Sequence, residues 1–85
     1  MEIIGIYDNN GESLDRYTVV FDEEVMVPSK GKLNMGLALS EDSTHPQKGV
    51  SMFVECLPGE HLGNEIRFEE LPEDIQLHVW ERIKE

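Results

Sequence analysis

The hydrophobic period of the chain changes once, close to its end, and that change limits what it can fold into. Tyr17, Val19 and Phe21 alternate with Arg16, Thr18, Val20 and Asp22, a two-residue period that sets the first three on one face of a strand. In LPEDIQLHVWERIKE, residues 71–85, Leu71, Ile75, Val79 and Ile83 recur every four residues and form one stripe of a helix. Pro72 suits the first helical position, where its missing donor would be unpaired anyway. Glu73 and Asp74 then sit at the positive end of the helix dipole, with Arg82 and Lys84 near the negative end. Strands first and one helix last is the order of an α+β protein. The expectation is one small domain, residues 1–85: an antiparallel sheet of four to five strands with the C-terminal helix packed on a face.

Other strands read from apolar runs between turn formers. Residues 2–7 make a first strand, and the DNNGESLD that follows contains Asn10-Gly11, a turn pair tolerant of positive φ. A calcium loop starting at Asp8 fails: glycine falls at the fourth position, Ser13 at the sixth and Val19 at the twelfth, where a bidentate glutamate belongs. Residues 24–27 read as a short separate strand ended by Pro28, and SKGK as a mobile, basic loop. Residues 35–40 make another strand, weakened by Gly36. VSMFVECL, residues 50–57, reads as a strand buried on both faces, and residues 66–68 as a short last one.

At 85 residues the chain buries about 60–65% of its unfolded surface, enough for one small core. Cys56 is the only cysteine, so no internal disulfide and no cysteine-only zinc site can reinforce it. IIGIY, residues 3–7, is too short for a signal-peptide core, and no apolar run approaches the ~20 residues of a membrane span. The reading is a soluble, cytoplasmic protein. Eighteen acidic against seven basic residues give a net charge of −11, which repels nucleic acid and anionic membranes and attracts basic surfaces.

No motif names a reaction. His45, His61 and Cys56 form no close ligand pair of the kind zinc sites use, and Cys56 reads as a strand residue turned into the core. A Cys56–His61 nucleophile pair would sit beside Glu55 and Glu60, which disfavour a thiolate. Gly31-Lys32 is followed by Leu33, not the Ser or Thr of a phosphate loop. No cofactor, no metal and no catalytic residue is expected.

The surface is more informative. Carboxylates cluster at Asp22-Glu23-Glu24, at Glu41-Asp42, and at Glu69-Glu70 with Glu73-Asp74. They read either as a solvated face or as a rigid imitation of a phosphate backbone. On the helix, Leu77 lies opposite the apolar stripe and Trp80 at its shoulder. Trp80 reads either as a cap on the core edge or, with Leu77, as a partner contact. EDSTHPQKG, residues 41–49, is a long polar connection of the kind that solvates a turn or meets a partner.

Four segments, IYDNNGESLDRYTVVFD, GLALSEDSTHPQKG, GEHLGNEI and FEELPEDIQLHVWERI, together resemble a group of small hypothetical proteins from bacterial, prophage and phage genomes. The resemblance covers most of the chain, least of all residues 25–34, and transfers no functional residue. It implies a mobile-element setting, where small acidic proteins inhibit host nucleic-acid-handling machinery, CRISPR effectors included. The functional expectation is therefore a non-enzymatic inhibitor that mimics nucleic acid and covers a basic groove, as monomer or homodimer. The alternative is an assembly protein that oligomerises through its helix or a sheet edge. An enzyme using Cys56 with His61 or His45 is the third reading.

Overall fold

A computed structural model describes residues 2–12, 15–40 and 52–84. Five strands and one helix follow in order: β1 Ile3–Asp8, β2 Tyr17–Val27, β3 Gly31–Leu39, β4 Met52–Cys56, β5 Asn64–Ile66 and α1 Glu73–Lys84. Single 3-10 turns at Glu60–Leu62 and Phe68–Glu70 flank β5. The strands form one antiparallel sheet in the order β4-β3-β2-β1-β5, so the arrangement is α+β, with five strands and a C-terminal helix.

The register explains why the helix packs where it does. Ile66, Ile6, Val19, Leu37 and Phe53 pair successively across all five strands, one apolar residue from each. Ile6, Val19 and Leu37 from this row join Tyr17, Phe21 and Leu39 against Leu71, Ile75 and Val79 in one buried cluster. The four-residue stripe is therefore the face of α1 that meets the sheet, with Ile83 partly buried at its end. The opposite sheet face is also apolar: Val20, Tyr7 and Ala38 are buried there. Its row Gly5–Val20–Gly36–Val54 contains two glycines. A Cβ at Gly36 would come within 2.6 Å of the Cys56 Sγ, so the thiol occupies the room that glycine leaves.

Several boundaries differ from the sequence reading. Residues 24–27 are not a separate strand. They continue β2 through an irregularity between Val20 and Glu24, beyond which Glu24 pairs with Asn34 and Val27 with Gly31. The expected loop SKGK is shorter, because β3 already starts at Gly31. Pro28-Ser29-Lys30 forms the turn, Lys30 N–H donates to the Val27 carbonyl at 3.0 Å, and Gly31 supplies the positive φ of 83° that re-enters the ladder. β4 is not buried on both faces. It stands at a sheet edge, where Phe53, Val54 and Cys56 are half-buried and Glu55 is exposed. Nor does Cys56 point into the main core. Its partner Asn34 shares a face with Gly36, away from the helix. The last strand is 64–66, and Phe68 belongs to the 3-10 turn that follows. The connection 41–49, with His45, lies outside the described residues.

Candidate protein-binding surface

The opening turn is built from its own side chains. Asp8 accepts from Arg16 Nε at 2.8 Å and Nη2 at 3.2 Å, and from the Asn10 N–H at 2.8 Å. Asn9 Oδ1 accepts from the N–H groups of Gly11 and Glu12. Asn10 and Gly11 adopt φ of 61° and 82°, the left-handed pair expected of this dipeptide. The Asp8 carboxylate, which would be the first ligand of a calcium loop, is thus engaged in holding a turn. The Arg16 guanidinium keeps the Asp8 carboxyl below the usual carboxylate range, with help from the Asn10 N–H and against its partial desolvation.

Pairing of Asp8 with Asn64 brings residues 59–65 beside this turn. Between the two lies an open groove of about 600 Å³ whose rim includes Asp8, Glu12, Glu60, His61 and Glu65. Sequence reasoning missed it, because it depends on β1 pairing with β5, and no local pattern signals that. His61 is exposed on the groove, whereas Cys56 is absent from its lining and half-buried on β4. Burial pushes the Cys56 thiol up from its ordinary value. A raised thiol holds less thiolate at neutral pH, so the geometry gives no support to the pair as a nucleophile and base.

The predicted acidic residues divide by description and by place. Asp22, Glu23 and Glu24 are exposed at the β2 irregularity. Asp22 is locked to Glu2: its N–H donates to the Glu2 carbonyl at 2.9 Å, and its Oδ1 accepts the Glu2 N–H at 3.0 Å. Glu24 stands 3.7 Å from Lys32, with both side chains more than half-exposed, a pair worth little to stability. Glu69 and Glu70 are exposed in the 3-10 turn, where Glu70 Oε2 accepts the Arg67 N–H at 2.6 Å. Glu73 and Asp74 are exposed in the first turn of α1. Glu41 and Asp42 lie outside the described residues.

Chain direction relates the two described runs. β5 is antiparallel to β1, so the chain leaves Ile66 toward the Ile3 end of β1. Ile3 pairs with Phe21, immediately before Asp22. Glu69-Glu70, which follow β5, and Asp22–Glu24, which lie within β2 at its irregularity, are therefore both set toward the Ile3 end of β1.

Beside the acidic first turn lies the apolar part of the surface. Leu77 is 64% and Trp80 52% exposed. Trp80 meets Phe68 edge-to-face, with ring centroids 6.0 Å apart and planes at 74°. Phe68 in turn packs on the core. Trp80 therefore both covers the core edge and presents about half its surface to solvent, so the two readings of it are not exclusive. Farther along α1 the Arg82 guanidinium lies 4.7 Å from the centroid of the Phe53 ring, drawn onto the sheet.

Among the described residues no group of His, Cys, Asp and Glu is arranged to hold a metal ion, and no helix is long and apolar enough to cross a membrane. No protein-family model, curated protein or solved structure matches the chain.

Proposed function

We propose that the chain is a small binding protein of phage or prophage type that performs no chemistry and covers a basic groove on a nucleic-acid-binding protein of the host, a CRISPR effector being one such target. The observation that carries this reading is the set of exposed carboxylates at Asp22–Glu24 and at Glu69-Glu70 with Glu73-Asp74, held on ordered elements in a chain of net charge −11. The Asp22 and Glu70 carboxylates, held by backbone N–H groups, lose little freedom on binding, and the field of the two runs speeds encounter with a cationic partner. Leu77 and Trp80 add the apolar contact that gives such an encounter a lifetime.

The test is affinity capture from bacterial lysate at low and high salt, with and without added duplex DNA or RNA. The reading expects a nucleic-acid-binding protein that is released by salt and displaced by nucleic acid. Capture indifferent to both would refute it.

Assembly is the second reading, favoured by one observation: β4 ends the sheet, with Leu57 just beyond it half-exposed. Strand edges of this kind pair with other chains. A stable dimer in light scattering that dissociates on introducing proline at Val54 would select this reading over the first.

A further inference from the structure

We propose that the Leu77–Trp80 face of α1 docks a cationic amphipathic segment of the partner, one carrying an apolar side chain flanked by lysines or arginines. This rests on the binding role proposed above and specifies what the partner must present at this one place.

Residues three and four apart are neighbours on a helix surface. Around Leu77 those neighbours are Glu73 and Asp74 on one side and Trp80 and Glu81 on the other. Glu73, Asp74 and Glu81 are all exposed, so three carboxylates rim a patch made of an open Leu and half of a Trp. Of the cations on α1, Arg82 is drawn onto Phe53, and Lys84, four residues on from Trp80, stands at the far end of the patch, leaving the rim net negative. An apolar centre with an anionic rim rejects nucleic acid and anionic lipid by repulsion. A second copy would bring two net-negative rims together, and like charge opposes that pairing. A cationic amphipathic segment satisfies both parts: its apolar side chain covers Leu77 and the open side of Trp80, and its flanking cations meet the rim.

Trp80 is the only tryptophan, so its fluorescence reports this patch alone. The full chain is titrated with two peptides of equal positive charge, one with leucines at helical spacing among lysines and one with no apolar residue. The leucine-bearing peptide is expected to shift Trp80 emission to the blue and to bind at least about tenfold more tightly than its counterpart. Binding should weaken as salt rises, and Leu77→Gln should remove most of the difference between the peptides with the circular dichroism unchanged. Equal binding of both peptides, or binding with unmoved emission, would overturn this docking site. The broader reading would still stand if a partner captured from lysate remained salt-sensitive. If neither peptide binds and capture ignores salt, both fail. Self-association of the wild-type chain that Leu77→Gln abolishes would assign the face to a second copy and overturn the proposal.

Discussion

The side-chain amide of Asn34 on β3 donates to the Phe21 carbonyl on β2 at 3.0 Å. The bond closes a gap in the ladder: pairing passes from Val20–Gly36 to Glu24–Asn34, so β2 spends more residues than β3 over the same stretch. Residues bulged out of a ladder leave polar backbone groups that need other partners. Asn34 serves Phe21, and Glu2 serves Asp22. Asn34→Ala should therefore cost about 1–2 kcal/mol, read as a lower urea midpoint with an unchanged slope. An unchanged midpoint would mean that the irregularity holds without this bond.

Gly36 and Cys56 should be coupled. A methyl group at position 36 meets the Cys56 Sγ at 2.6 Å and the Val19 carbonyl at 3.3 Å. Gly36→Ala should cost about 1–3 kcal/mol as overpacking. In a Cys56→Ala background the sulfur is gone and part of that loss should return, giving a coupling energy above about 0.5 kcal/mol in a double-mutant cycle. Simple additivity would show that the thiol is not the obstacle.

Acid stability should depend on Asp8. Its carboxyl is held below the ordinary value of 3.8, chiefly by the hydrogen bond from Arg16. A depressed folded-state pKa favours the folded state wherever the group is ionised. That contribution is complete above the unfolded value and is lost as pH falls through the lower folded one. Asp8→Asn should lower stability at neutral pH and flatten its decline below about pH 4, measured by urea unfolding across pH. An acid limb as steep as that of the wild type would assign the decline to other carboxylates.

The two faces of α1 should respond very differently to the same kind of truncation. Ile75 is fully buried against the sheet, and Leu77 is 64% exposed. Ile75→Ala should cost about 2–5 kcal/mol, through lost burial and the cavity it leaves. Leu77→Ala should stay within about 0.5 kcal/mol of the parent. Thermal melts of the two variants decide it, and equal losses would refute the packing described for α1.

The candidate surface was partly legible in the sequence. Helical phase alone sets Leu77 opposite Ile75 and Val79, which is why its exposure could be anticipated. The contact between Trp80 and Phe68 could not, because it joins the helix to a turn whose position depends on where β5 docks. Placement of Asp22–Glu24 and Glu69-Glu70 toward one side of the sheet is likewise a consequence of strand order. Carboxylate runs in a sequence look alike whether they converge or not.

What the sequence determined by itself is what short-range physics controls. The stripe Leu71–Ile75–Val79, the alternation Tyr17–Val19–Phe21 and the left-handed turn at Asn10-Gly11 each depend on residues within a few positions of one another. Tertiary structure decided the rest. An apolar run such as VSMFVECL reads the same whether neighbours cover both sides or only one, and only the sheet order makes β4 an edge. Glu24 belongs to the same strand as Val20 because Asn34, distant in sequence, pairs with it across an irregular ladder. Gly36 reads as a weak point in a strand until the fold lays the Cys56 sulfur over it. In each case the deciding contact joins residues from different strands, and local spacing carries no record of such partners.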